Sequence, residues 1–331
     1  MSQLISIGEM LIDFIPQEKG VGLSDVSSFE KAPGGAPANV AAAVSRYGQA
    51  SKMVTKLGKD AFGDFLVETL QHVGVDTRYV FRTNETNTGL AFVSLKSNGE
   101  RDFSFYRNPS ADLLLEADEI EDSMVEEGDI LHFCSVDLVE SPMKYAHEKL
   151  IQLVHNKQGI VCFDPNVRLP LWSDHEKCRK TILAFIPKAH IVKISDEELE
   201  FITGFKDESA ALQSLFAGNV KVVVYTKGSE GASIITRDHS YSKEAFKVNA
   251  VDTTGAGDAF IGGFLSCLLR DGVTVAGLES YVEKHSDYLL SFSNASGALT
   301  TTKKGGISAL PALEEIQQLL LKNHEDLTAV I

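Results

Sequence analysis

A chain of 331 residues, 44% hydrophobic and 23% charged, has enough apolar material for a large core, and one domain spanning 1–331 is expected. Its formal net charge of −15, from 31 basic and 46 acidic residues, leaves no basic face for nucleic acid or for an anionic membrane surface. No apolar run approaches the roughly 18 residues of a membrane span, and the N-terminal segment has no basic region and carries Glu9 and Asp13, so a soluble cytoplasmic protein is expected.

Short β-branched runs recur in chain order, each followed by a helical pattern: 4–8, 52–58, 129–134, 159–164, 190–195 and 220–226. Nearly continuous apolar strands alternating with helices predict a parallel, doubly wound sheet covered on both faces. Residues 88–106 break this rhythm. They hold two strand-like runs around Asn98-Gly99, a strong hairpin signal, and the second run sets Phe103 and Phe105 on one face. With residues 10–32 this hairpin is expected to form a small antiparallel flap over the site or at a dimer contact. The last twenty residues or so read as an amphipathic helix and a tail. Cys134, Cys162, Cys178 and Cys267 form no C-x-x-C pair, so buried reduced thiols are expected, and the scattered histidines include no zinc-hydrolase motif.

Two glycine-rich segments carry the chemistry. In 251–269 the turn Thr254-Gly255-Ala256-Gly257 leads into an apolar-periodic helix, so several backbone N–H groups and the positive end of a helix dipole can converge on an anion. Asp258 enters the first turn, where a carboxylate can take the proton of a nucleophilic hydroxyl. By residue type alone it is equally a favourable first-turn acid, and the glycines a plain turn. Phe260 stands where a dinucleotide fingerprint needs its third glycine, and no Lys-Ser or Lys-Thr follows as in a Walker loop. In 31–48, Gly34 and Gly35 permit close approach of a ligand, Asn39 offers a donor and an acceptor, and an Ala-rich helix ends at Gly48.

Together the segments resemble the two signatures of the PfkB (ribokinase-like) carbohydrate kinase family, an N-terminal G-G-x-x-x-N before a helix and a C-terminal D-T-x-G-A-G-D. The resemblance runs from GEMLID at the start to GGISALP near the end. FEKAPGGAPANVA (29–41), FYRNPSADLLL (105–115), FDPNVRLPLW (163–172) and VKISDEEL (192–199) are similar to the fructokinase branch. It implies a three-layer α/β/α, mostly parallel sheet with a small antiparallel β lid, and phosphorylation of a sugar primary hydroxyl by ATP, with D-fructose the leading substrate. Ribose and 2-keto-3-deoxygluconate kinases share the scaffold and stay open as alternatives, as does a non-catalytic sugar sensor.

The resemblance also implies roles. Asp258 would be the base, and the amides of Gly255, Ala256, Gly257 and Asp258 would stabilise the transferring phosphoryl group, assisted by Arg168 or Arg107. Asp13, Gly34, Gly35, Asn39, Arg107, Asn166 and Arg168 would contact the sugar or the phosphate. Alternatively Asp13 caps a turn and Asn166 makes an Asx-turn. On the nucleotide side, Thr226, Gly228 and Gly231 would cradle phosphates and ribose, Asn294 would border adenine, and Lys193, Ser195 and Glu198 would face the ATP. Glu198 would organise Mg²⁺ through water, although Ser195 stands where the family often has asparagine and the segment also reads as a solvated acidic helix start. A K⁺ site would use Asp252, Thr254 and carbonyls near 301–308. The expected partners are the sugar and ATP, with a homodimer through the lid.

Overall fold

The computed structural model describes residues 2–18, 20–95 and 101–323. In chain order its strands are β1 (Leu4–Ile7), β2 (Leu11–Pro16), β3 (Phe29–Gly34), β4 (Ser51–Gly58), β5 (Val80–Thr83), β6 (Leu90–Leu95), β7 (Arg101–Tyr106), β8 (Ile130–Cys134), β9 (Ile160–Asp164), β10 (Ile191–Ser195), β11 (Val222–Thr226), β12 (Ala232–Ile235) and β13 (Ser240–Lys243). The helices are α1 (Ala36–Arg46), α2 (Ala61–His72), α3 (Pro142–Asn156), α4 (His175–Phe185), α5 (Asp196–Thr203), α6 (Glu208–Ser214), α7 (Ala256–Arg270), α8 (Leu278–Thr300) and α9 (Leu313–Lys322).

Among the described residues nine strands form one sheet in the order β13-β12-β11-β10-β9-β8-β1-β4-β5. From β5 to β11 every pair is parallel, and β12 and β13 add an antiparallel edge. The six predicted central strands all appear, within two residues of their expected starts. Alternate strand residues divide the core in two. Leu4, Met53, Ile130, Ile160, Ile191 and Val222 pack with α1, α2, α7, α8 and α9 on one face. Ile5, Val54, Leu131, Val161, Val192 and Val223 pack with α3, α4, α5 and α6 on the other. This period-2 split of almost fully buried strands is what a sheet covered on both sides requires.

The second sheet, in the order β3-β2-β6-β7, is the lid. Its outer pairs β2–β3 and β6–β7 are antiparallel as expected, while the central pair β2–β6 runs parallel. It joins segments distant in sequence, with Phe14 stacked on Phe92 at 4.7 Å and Phe29 edge-on to both. The Asn98-Gly99 turn and the tail after the last helix lie outside the described residues. Asp60 caps α2 by accepting from the Gly63 N–H at 2.8 Å, and it also accepts from the Thr88 N–H, which fixes the entry to β6. The four cysteines are free and buried. Among the described residues no helix is long and apolar enough to cross a membrane.

Candidate active site

The site begins at the N-terminus of α7. Gly255 caps the helix with φ of 75°, a left-handed conformation that costs glycine little. The first intrahelical bond runs from the Ala259 N–H to the Gly255 carbonyl at 2.8 Å. The amides of Ala256, Gly257 and Asp258 precede it and have no acceptor within the helix. That of Ala256 reaches back to the Thr253 carbonyl at 3.3 Å. Gly262 lets this helix close on α1, because a Cβ there would stand 2.6 Å from the Ala43 Cβ. The contact presses the two signature segments together.

Across it, Asn39 Nδ2 donates to Asp258 Oδ2 at 2.8 Å. Burial pushes the Asp258 carboxyl above its ordinary range, opposed by the Asn39 hydrogen bond and by the positive charges of Lys193 and Arg168. The result is a more basic carboxylate than a surface aspartate, suited to accepting a proton. Gly306 backs the pair, since any Cβ there would fall within 3 Å of Asn39 side-chain atoms.

A cavity of about 220 Å³ opens in front of Asp258. Of the residues predicted from sequence it brings together Asp13, Gly35, Asn39, Asn166, Arg168, Lys193, Thr254, Gly255, Gly257 and Asp258. Asn166 is held with φ of +46° just past β9, which turns the chain so that it and Arg168 both reach the cavity. Glu9, Leu11, Phe105, Val136 and Leu171 also line it and were not among the site residues expected from sequence. For Glu9 a signal existed, an acid immediately after the Gly8 that ends β1, at the strand edge where open α/β sheets bind ligands.

The floor is an ion pair. Lys193 Nζ lies 3.0 Å from Asp164 Oδ2, and both side chains are almost fully buried. Burial alone would depress the ammonium, but Asp164 and Glu198 outweigh it and keep Lys193 above its ordinary value. Burial raises Asp164 to about 7 against the pull of Lys193. A Cβ on Gly257 would stand 3.3 Å from Lys193 Nζ, so this ammonium faces the glycine turn.

Other predicted residues lie outside the cavity. Gly34 sits behind Asp13, where a Cβ would fall 2.2 Å from its carboxylate, so it makes room for Asp13 without lining the cavity itself. Arg107 is not brought to the cavity. Its guanidinium is buried and ion-paired with both Asp112 and Asp137, beneath the end of β7. One arginine thereby faces three carboxylates, counting Glu9, and burial pushes Asp137 up to about 7 although Arg107 opposes it.

Glu198 accepts from the Ser195 N–H and hydroxyl and from the Val167 N–H, joining the start of α5 to the loop that carries Asn166 and Arg168. Asp252 accepts from Thr254 and, through Oδ2, from the Gly305 N–H, which ties the turn before α7 to the 301–308 segment. Thr226 bonds the Ile194 carbonyl at 3.4 Å, and Gly228 and Gly231 follow with φ of 51° and 115°. Asn294 donates to the carbonyls of Lys243 and Glu244, while a Cβ on Gly231 would strike that same Lys243 carbonyl. Gly231 and Asn294, two of the residues expected on the nucleotide side, therefore meet at the end of β13.

In sequence and in fold the chain is similar to known proteins. The chain matches the pfkB family carbohydrate kinase pattern over residues 1–313. Fructokinase-1 of Zea mays is 42% identical over 320 residues, 96% of this chain and 98% of that protein. Fructokinase-2 of Oryza sativa subsp. japonica is 43% identical over 321 residues, covering 96% and 94%. Among solved structures, the Xylella fastidiosa fructokinase with bound ATP superposes with a TM-score of 0.90 at 33% identity, covering 98% of this chain and 99% of that one. The Vibrio cholerae O395 fructokinase with fructose, ADP and calcium gives 0.86 at 33% identity, covering 97% and 99%. With a whole-chain match in sequence and fold, and with the family's two signatures closed on each other at Asn39 and Asp258, the chain belongs to the pfkB family of carbohydrate kinases.

Proposed function

We propose that this protein is a fructokinase of the cytoplasm, transferring the γ-phosphoryl group of ATP to the 6-hydroxyl of D-fructose. The observation that carries the reading is the Asp258 carboxylate, steadied by Asn39 at the mouth of the α7 amides and facing a cavity of sugar size. The similarity to fructokinases over nearly the whole chain favours fructose.

In the proposed reaction Asp258 takes the proton of the 6-hydroxyl as its oxygen bonds to the γ-phosphorus and the bond to the bridging oxygen of ADP breaks. Transition-state charge spreads over the γ oxygens. The amides of Gly255, Gly257 and Asp258 stabilise it, joined by Ala256 once its long bond to Thr253 is released. Lys193 and Arg168 add positive charge. Asp13, Asn39 and Asn166 bind hydroxyls of the ring, and the Thr226 to Gly231 turn with Asn294 forms the nucleotide side.

Mg²⁺ would arrive with ATP, neutralise phosphate charge and keep most of its waters, with Glu198, whose charge acts on Lys193 at the cavity, as the acid that would hold those waters. A K⁺ held by Asp252, Thr254 and carbonyls of 301–308 would stiffen the amide turn, a role in keeping with the bonds Asp252 already makes to both segments.

The test is ATP-dependent phosphorylation of fructose, ribose, 2-keto-3-deoxygluconate and fructose 6-phosphate. Fructose should give the highest kcat/KM. A higher value on any of the others replaces fructose as the substrate, and sugar binding without turnover would make the protein a sensor.

A further inference from the structure

We infer that Glu9 is a specificity residue of this site, hydrogen-bonding a sugar hydroxyl at the end of the substrate remote from the transferred group. The inference rests on the fructokinase reading and deepens it.

Glu9 follows β1 and is only 4% exposed, yet it borders the cavity. Its Oε1 accepts from the Ala36 N–H at 3.2 Å, which fixes the carboxyl plane against the first turn of α1. Its Oε2 is buried and has no hydrogen-bond partner among the described residues. A buried carboxyl oxygen without a partner is costly, and native proteins seldom keep one unless a ligand completes it. The nearby cation does not serve, because Arg107 is held by Asp112 and Asp137.

Position and charge say which ligand fits. Ala36 holds Glu9, and Asn39, three residues on along α1, holds Asp258. The two anchoring residues stand three positions apart on α1, about 4.5 Å along its axis, a spacing that suits carboxyl groups reading two hydroxyls of one small sugar. Asp258 faces the anion-binding end with Lys193 and Arg168, whereas Glu9 faces Asp137 and Asp112. A second phosphate at that remote end would meet three carboxyl groups against one cation, Arg107, which Asp112 and Asp137 already hold, so the ligand there is an uncharged hydroxyl. Burial first, then Asp137, raises the Glu9 carboxyl well above its ordinary range against the pull of Arg107. Whenever it carries its proton, such a carboxyl can donate as well as accept.

The experiment compares kcat/KM for fructose with that for analogues each lacking one hydroxyl other than the 6-hydroxyl, in wild type, Glu9→Ala and Glu9→Gln. Each ratio is taken on a single preparation, so the folded fraction cancels. Wild type should disfavour one analogue by about tenfold or more. Glu9→Ala should erase most of that preference, and Glu9→Gln, which keeps the volume, should shift it by less, with the KM for ATP unchanged in both. Ratios identical to wild type in both variants would overturn this inference alone. A wild type inert on fructose would overturn the fructokinase reading and this inference with it.

Discussion

At Asp258 two effects compete, since burial raises the carboxyl while Asn39, Lys193 and Arg168 lower it, and burial wins. The protonated form is inactive as a base, so the acid limb of the kcat/KM profile should lie above the usual aspartate range, with activity rising as pH climbs through it. Asn39→Ala removes the largest of the lowering contributions, so the limb should move to higher pH, and the loss of activity should be greater at pH 6 than at pH 8. A limb that stays put or moves down would remove Asn39 from this role. Asp258→Asn should lower kcat by about 10²–10⁴-fold with the KM for ATP near normal; near-wild-type turnover excludes Asp258 as the base. Asp258 and Asn39 were legible because each lies inside a contiguous glycine-rich motif with its own backbone logic. Arg107 was not, since an arginine past a strand end says nothing of Asp112 and Asp137, which only the fold brings to it. Glu9 was hidden for the converse reason, as its missing partner is visible only once the chain has folded around it.

The joint between β3 and α1 is the most tightly specified element of the site. Gly35 has φ of 110°, and a Cβ there would lie 2.3 Å from the Glu9 carbonyl, a backbone atom with no freedom to retreat. Gly35→Ala should therefore destabilise the fold by about 2–4 kcal/mol through strain and steric displacement together. Denaturant unfolding would measure it, and a loss below about 0.5 kcal/mol would mean that the joint relaxes freely. The same scale separates what the sequence pattern can say from what it cannot. β1, β4, β8, β9, β10 and β11 were legible because they are buried on both faces and so nearly all apolar. Short β5 and the antiparallel edge strands β12 and β13 escaped notice. β13 reads Ser-Tyr-Ser-Lys and is partly exposed, so its composition is that of a loop and its pairing with β12 alone makes it a strand. In the lid, residues 10–32 were expected to join the 88–106 hairpin in one antiparallel sheet, and the break into β2 and β3, with β2 parallel to β6, is set by their pairing across the sheet.

In the whole molecule the cavity lies between the C-terminal ends of the large sheet and the lid, with Asp13 from β2 and Phe105 from β7 on its wall. Sugar affinity therefore depends on how firmly the lid is held. Its aromatic stack of Phe14, Phe92 and Phe29 gives it a small core of its own, but it is only four strands wide and ends at two edges, β3 and β7. At the end of β7, Tyr106 packs edge-on to Phe92 and still leaves 64% of its surface exposed. An exposed aromatic beside the strand that ends its sheet among the described residues invites pairing with an equivalent strand, and twofold symmetry lets one patch serve both partners. We therefore predict a lid-to-lid dimer. Sedimentation across micromolar concentrations should give twice the chain mass, and Tyr106→Asp should shift the population toward monomer. Because Tyr106 lies next to Phe105, the same substitution should raise the KM for the sugar more than that for ATP, as the lid loses its support. A wild-type chain that sediments as a monomer at every concentration would refute the dimer and leave the lid's own hydrogen-bonded ladder as what holds Asp13 over the substrate.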